Sequence, residues 1–458
     1  MKNIKWHIEG GFEPHDVKQI HDLALKMIDE IGIHTPSKQA IQILSSEKGV
    51  KIKNETRVCI VPEKVEQLLG PFPRKQNTSQ DSEPKFYVSG YSLRCYDFRT
   101  GEIRKPASND LIEFTKIGHS LGVSGNATVM PLDLPQKLAE IATYKLCLDV
   151  SDRIWGAGIF SDSDVFDMVQ EIQTIVGLNY SVGMHMISPM AFDPFLLDMA
   201  MRYIPKKASF SVGNMPMQGA TTHINPFIAI AQSCAEVIGG ASILKILSPE
   251  SNISFVPFLY PFDMKYGTIV YGGPDFLLTN LALIEVAKFY GISVMAKAFN
   301  TMAKFPDDAQ FGFCSAVCLA TMLAGLKNFG WAGVISIDEV ASVEAMIIEY
   351  EIFKAIRHIA NGIYYDENID LNEIKKCIED GTFLTNEDTI KNCRTQFFNS
   401  DIFSNETLAI WKRNGKKSIQ DRAREKAHQL LKSHNFQRDP VQQKELDKIW
   451  EKAKKLFG

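Results

Sequence analysis

From Tyr180 to Ile363 one pattern recurs: an apolar strand-forming run, a break rich in Gly, Pro and polar residues, then a long helix. Ala208 to Asn214 runs into Met215-Pro-Met-Gln-Gly-Ala220 and then a Gly- and Ala-rich helical stretch. Ile253 to Tyr260 breaks at Pro261 to Gly273 before the helical Leu277 to Tyr290. Strand-loop-helix units in series predict an α/β fold with a parallel sheet. With this many units the economical solution is a TIM-type (β/α)8 barrel, which places its chemistry on the loops after the strands. An open parallel sheet is the alternative.

The remaining strands expected of such a fold are Val123 to Val129, Arg153 to Phe160, Tyr180 to Ile187, Ser293 to Phe299 and Trp331 to Ile337, with one more from Phe86 to Phe98. The last belongs to a β-prone stretch, Lys85 to Phe98, after which Arg99-Thr-Gly-Glu102 supplies a hairpin turn before another short strand. Upstream, Val17, Ile20, Leu23, Ala24, Met27 and Ile28 recur at helical spacing before Gly32. A second helix follows Pro36-Ser37, and Val58 to Pro62 reads as extended. Pro71 to Pro84 reads as a linker. Three segments result: a helical lead-in and linker over 1–84, the barrel with its leading hairpin over 85–365, and a helical extension over 366–458. The Lys/Arg/Glu-rich run from Ser418 to Phe457 reads as a solvated helix face.

Composition narrows the function. Fifty basic residues against 54 acidic ones give a formal charge of -4, so no global field favours nucleic acid or an anionic membrane. The opening Met1 to Gly10 lacks the apolar core of a signal peptide, and a cytoplasmic protein is expected. Eight cysteines without a CxxC pair fit reduced core thiols better than a disulfide framework or a structural zinc site.

Several segments resemble the trimethylamine methyltransferase superfamily. They are Ile20 to Gly32, Asp97-Phe-Arg-Thr-Gly-Glu-Ile-Arg104, Met215-Pro-Met-Gln-Gly-Ala-Thr221, Tyr271-Gly-Gly-Pro-Asp275, and Gly381-Thr-Phe-Leu384 with Thr389 and Trp411. The most specific is the Met-Pro-Met-x-Gly-Ala strand end followed by the Asn225 to Leu247 helix. The resemblance implies a barrel that moves a methyl group from a methylated amine to the cobalt of a separate corrinoid protein. All 458 positions are standard residues, so the chain is similar to the branch without pyrrolysine, which uses quaternary amines such as glycine betaine, proline betaine or carnitine. No cofactor is then held permanently: the corrinoid (cobalamin) arrives on its cognate protein, and self-association of this chain stays open. Thr385-Asn-Glu-Asp388 departs from the family pattern, which puts the specificity of that stretch in doubt.

A quaternary nitrogen leaves as a neutral amine without being protonated, so this chemistry demands no acid, base or nucleophile from the protein, only alignment and exclusion of water. The cation itself cannot donate a hydrogen bond, and it must be held by aromatic faces and carboxylates. Phe258-Leu-Tyr260-Pro-Phe262-Asp263-Met-Lys-Tyr266, with Tyr271 behind it, concentrates rings and an acid at one strand end. Tyr260, Phe262 and Tyr266 are the preferred ring candidates, against plain packing beneath a loop. Asp263 is either a cation partner or a loop cap. Gln218 closes the neighbouring strand. His223 either binds a carboxylate or caps the next helix, and His185 at its strand end is either functional or a satisfied core histidine. Asn300 and Lys297 end one strand; Asp338 and Glu339 end another, facing the ammonium or starting a helix. Tyr96, with Asp97, is a candidate lid element.

Other classes compete. Zinc-dependent methyl transfer needs converging His and Cys ligands, yet Cys314 and Cys318 sit in an Ala-, Leu- and Phe-rich helix. A nucleotide enzyme lacks GxGxxG or a P-loop. A non-catalytic betaine-binding or corrinoid-partner scaffold is not separated from an enzyme by sequence.

Overall fold

The computed structural model describes every residue except 1, 75–82, 91, 126–127, 155–159, 179–180, 207 and 368–369. The expected linker therefore lies mostly outside the described residues, as does most of the strand expected over Arg153 to Phe160.

Helix boundaries follow their punctuation. Pro14–Glu30 starts on a proline, and its amphipathic face buries Val17, Ile20, Ala24 and Ile28. Lys38–Leu44 follows Ser37, whose hydroxyl accepts from the Ala40 amide. Pro226–Leu247 begins behind Asn225, whose side chain accepts from the Phe227 amide. This last helix is apolar on every side because it is buried on every side, and its length and composition alone would suit a membrane span. Gly239 and Gly240 make its burial geometrically feasible. A Cβ on the first would lie 2.7 Å from Ile33, and one on the second 2.8 Å from the Met186 sulfur. The helix thus packs directly between a strand and the N-terminal layer.

The parallel strands form two arcs. In one, Lys85–Val88 lies between Ser124–Gly125 and Asn328–Ala332, with Met295–Ala296 beyond the latter; a bridge from Gly125 to Ile154 extends it. In the other, Ser209–Asn214 lies between Ser181–Ile187 and Ile253–Val256, so that Val212 sits beside Met184 and Phe255. The second arc continues through Ala191–Phe192 to the N-terminal strands Ile33–His34, Arg57–Ile60 and Val50–Lys53, giving a seven-stranded mixed sheet. Among the described residues no ladder joins the arcs, so the architecture is a mixed α/β fold with parallel arcs, and continuous barrel pairing is absent from it.

Two expectations change in detail. The Lys85 to Phe98 stretch splits into an inner parallel strand, Lys85–Val88, and a hairpin strand, Arg94–Tyr96, which pairs with Ile103–Arg104 around the expected turn, where Gly101 N–H donates to the Asp97 carbonyl. Arg104 pins it to Asp97 and Asp110. The charged C-terminal run is more than a solvated face. Helix Ile419–Ser433 buries Ala423 and Ala427, and Arg424 pairs with the buried Glu344 at 2.9 Å. Helix Pro440–Phe457 buries Leu446, Ile449 and Ala453, and its Asp447 meets Lys145 at 2.7 Å.

Candidate functional site

At the C-terminal ends of strands from both arcs, three aromatic rings close on one ammonium. Lys297, directly after Met295–Ala296, places its Nζ 3.8 Å from the Phe258 ring centre, 4.2 Å from Trp331 and 4.5 Å from Tyr260. Phe258 and Tyr260 follow strand Ile253–Val256, whereas Trp331 belongs to Asn328–Ala332. Each ring offers its negative face to a cation, and contacts removed from water are the stronger ones. Lys297 is only 5% exposed.

A carboxylate completes the arrangement. Asp338 accepts from Asn300 Nδ2 at 3.3 Å and is hydrogen-bonded by Tyr271. Burial raises its carboxyl to about 6, against the opposing pull of the Lys297 ammonium and these two hydrogen bonds. Burial likewise brings the Lys297 ammonium down to about 7, with Asp338 holding it up. The imidazole of His185, near its own strand end, is lowered by desolvation first and by Lys297 second.

Backbone geometry sets these groups in place. Trp331, Ser336, Ile337 and Asp338 all lie in the left-handed region, with φ of 64°, 56°, 58° and 63°. For residues with side chains this conformation costs about 1–3 kcal/mol each, and the β-branched Ile337 is the least suited to it. Hydrogen bonds from Ser336 N to Ala303 O, Ile337 N to Thr301 O and Ser92 Oγ to Asp338 O hold the loop in shape. Beneath it, Glu349 Oε2 accepts from Gly333 N at 2.7 Å; burial pushes this carboxyl well above the usual range.

Phe258 is fixed through its main chain. Its N–H donates to Asn214 Oδ1 at 2.9 Å, and its carbonyl accepts from Ser233 Oγ at 2.6 Å. Asn214 in turn donates to Glu236 Oε2 at 2.8 Å. Glu236 also receives Ser188 Oγ, Met190 N and Gln232 Nε2. Tyr260 is braced by the Met215–Ala220 motif: its N–H donates to Pro216 O and it pairs in register with Met217. Polar atoms without protein partners collect here, namely the Tyr260 hydroxyl and Asn300 Oδ1. Buried orphans cost about 1–3 kcal/mol each, and a polar ligand group is one thing that satisfies them.

The structure brings Tyr260 and Asn300 into this cluster and leaves His185 at its edge. It places the other candidates elsewhere. Phe262 pairs with Ile269 on a separate small sheet. Asp263 Oδ1 accepts from the Lys265 and Tyr266 amides, the loop-cap alternative. Tyr266 is 72% exposed, with Lys265 over its ring. Gln218 donates to the Ile224 carbonyl, and His223 Nδ1 accepts from the Asn225 amide ahead of the helix. Glu339 is exposed and accepts from Ser336 Oγ. Tyr96 receives Gln420 from the C-terminal helix and is no lid over the rings. Asp338, offered by the sequence as facing the ammonium or starting a helix, lies beside the rings, whereas Phe258, Lys297 and Trp331 are not selected as binding residues by the sequence. Phe258 is detectable as the residue two before Tyr260; Trp331 is not, and its left-handed backbone has no signal in the sequence. Cys314 and Cys318 are buried within their helix, as packing residues are.

Two sequence relatives share nearly the whole length of the chain. The chain is 24% identical over 451 residues to the glycine betaine methyltransferase of Desulfitobacterium hafniense (strain Y51), covering 91% of each. It is 26% identical over 484 aligned positions to the trimethylamine methyltransferase MttB of Methanosarcina barkeri, covering 97% of this chain and 95% of the relative. Among solved structures, the Methanosarcina barkeri monomethylamine methyltransferase (MtmB) aligns over 92% of this chain and 94% of its own at a TM-score of 0.43 and 12% identity. The family profile described as trimethylamine methyltransferase (MTTB) matches residues 10–456, and the chain therefore belongs to the trimethylamine methyltransferase family.

Proposed function

We propose that this methyltransferase takes its methyl group from a quaternary amine, with glycine betaine, proline betaine and carnitine as the leading candidates, and releases a tertiary amine. The observation that carries the reading is the convergence of Phe258, Tyr260 and Trp331, with Asp338 close by, on one positive charge at the strand ends. Lys297 Nζ marks where a cation is held, and a trimethylammonium head presents the same charge without N–H groups. The name of the glycine betaine methyltransferase relative agrees with this choice.

The acceptor we propose is Co(I) of a corrinoid carried by a separate protein, which supplies a nucleophile strong enough to take the methyl as CH3+. The C–N bond breaks, its electron pair stays on nitrogen, and the departing amine is neutral, so no residue needs to give a proton. The rings and Asp338 bind the positive head, fix its orientation and keep water away. We read the two parallel arcs as parts of one (β/α)8 barrel opening toward the acceptor, and a cytoplasmic location accompanies the reading.

The test is incubation with each candidate amine and a reduced corrinoid protein from a quaternary-amine system, following loss of Co(I) absorbance and formation of the demethylated amine. Demethylation of at least one betaine is expected. Saturable binding of a betaine without any Co(I) loss would move the chain to the scaffold class; transfer only from trimethylamine would overturn the substrate class.

A further inference from the structure

The cage as folded is filled by the protein's own cation. The Lys297 ammonium lies within 3.8 to 4.5 Å of the centres of all three rings, which is the space a methylated ammonium would use. Two cations cannot share it: at such separations in a buried site their repulsion amounts to about 4 kcal/mol or more. We propose that Lys297 is a displaceable resident of the cage, so that a quaternary ammonium enters by driving the lysine to its neutral form and releasing one proton. This rests on the quaternary-amine reading and adds a specificity-determining and gating residue to it.

The surroundings support an exchange of this kind. Lys297 is linked to no carboxylate by a direct ion pair among the described residues; Asp338 acts on it through space. Rings and a nearby negative charge therefore hold it, and these are the features that would equally hold an incoming cation. Burial has already brought its ammonium down to about 7, so the proton is cheaply removed near neutrality. The other titratable groups facing the site are Asp338, Tyr260, Tyr271 and His185, with Glu349 beneath. Asp338 keeps a cationic partner in both states, first Lys297 and then the substrate. Site charge is thus conserved across binding. Once the methyl has left, the product nitrogen is neutral and loses its hold on the rings. A proton returned to Lys297 restores the resident cation, which expels the amine. One proton leaves on binding and one comes back on release, which closes the balance.

The experiment is calorimetric titration of the full-length protein with tetramethylammonium and with glycine betaine, from about pH 6 to 9, in buffers of differing ionisation enthalpy. In the wild type, affinity is expected to rise about tenfold per pH unit below 7 and to level off above it, with about one proton released per ligand at the acid end. Lys297→Ala is expected to bind tetramethylammonium at least about tenfold more tightly than wild type at pH 6, which corresponds to about 1.4 kcal/mol. Asp338→Asn should bind more weakly and move the break in the pH dependence below 7, because the Lys297 ammonium loses the charge that holds it up. A wild-type-like slope persisting in Lys297→Ala would assign the proton to the Asp338 carboxyl and overturn the inference. So would a wild-type affinity flat across the range, even if Lys297→Ala failed to fold. Betaine binding with no slope and no gain in Lys297→Ala would sink the resident-cation proposal and leave the quaternary-amine reading standing. Absence of binding in every variant at every pH would remove both.

Discussion

Replacing Asn214 with Ala tests whether the cage is built through the main chain of Phe258. Asn214 is 1% exposed and its amide bonds in both directions. Its Oδ1 takes the Phe258 N–H at 2.9 Å, and its Nδ2 reaches Glu236 at 2.8 Å and the Ser233 carbonyl at 3.1 Å. In the alanine variant the Phe258 N–H becomes a buried orphan at about 1–3 kcal/mol, and the Glu236 carboxylate loses a charge-assisted bond worth about 1.5–3 kcal/mol. Shared neighbours make these terms less than additive, so a loss of about 3–5 kcal/mol is expected. Denaturant unfolding followed by circular dichroism measures it. A double-mutant cycle with Ser233→Ala, which removes the other anchor of Phe258, should show coupling of at least about 0.5 kcal/mol. Asn214→Asp retains the acceptor for Phe258 but sets a carboxylate against Glu236, so its deficit should grow as pH rises through the carboxylate range. A loss for Asn214→Ala under about 1 kcal/mol, with no coupling to Ser233, would refute the reasoning.

Further expectations concern the rings and the buried charges. Phe258→Ala or Trp331→Ala, assayed near pH 9 where Lys297 is neutral, should each weaken tetramethylammonium binding by about 0.5–2 kcal/mol, visible by calorimetry. Phe262→Ala and Tyr266→Ala should bind it as wild type does, since neither ring joins the cluster; tenfold weakening in either would relocate the site. Because the folded pKa of Lys297 lies below its unfolded value, the native state carries a penalty that is complete below about pH 7 and fades as pH climbs toward 10. Lys297→Met should therefore gain stability relative to wild type at pH 6 and lose that advantage by pH 10, by denaturant titration at both values. Glu349 titrates in the opposite sense: its folded pKa is raised, so the penalty of ionising it appears above the unfolded value and grows with pH. Glu349→Gln should accordingly improve on wild type more at pH 8 than at pH 5, and a pH-independent difference would contradict the buried, protonated assignment.

The parallel α/β organisation was legible because apolar strand-forming runs and long helices alternate along the chain: the helix expected over Asn225 to Leu247 is Pro226–Leu247. The ends of the strands were legible for the same reason, which is why Tyr260 and Asn300 were among the candidates. What the linear pattern could not convey is direction. Tyr266 and Phe262 belong to the same aromatic-rich segment as Phe258, but the chain turns into a separate small sheet at Tyr260–Asp263 and carries them off. Lys297 looked like an ordinary strand-end lysine because nothing local says that three rings from two other segments enclose it. Trp331 and Asp338 depend on four left-handed residues that carry side chains, a conformation that composition argues against and only tertiary hydrogen bonding sustains. The hairpin turn at Arg99–Glu102 is legible, whereas the division of the extended stretch before it into an inner strand, Lys85–Val88, and a hairpin strand, Arg94–Tyr96, is not.

The left-handed stretch around Ser336, Ile337 and Asp338 also constrains how this protein can change over generations. A spring wound by its neighbours can be eased cheaply: glycine at Ile337 would shed the local torsional cost and let the loop sample more shapes. The acid that faces the cage would then wander, and with it the grip on any positive head. At this locus, robustness of the scaffold and fidelity of recognition pull in opposite directions, so a laboratory selection for heat tolerance alone should favour glycine here at the expense of ligand retention.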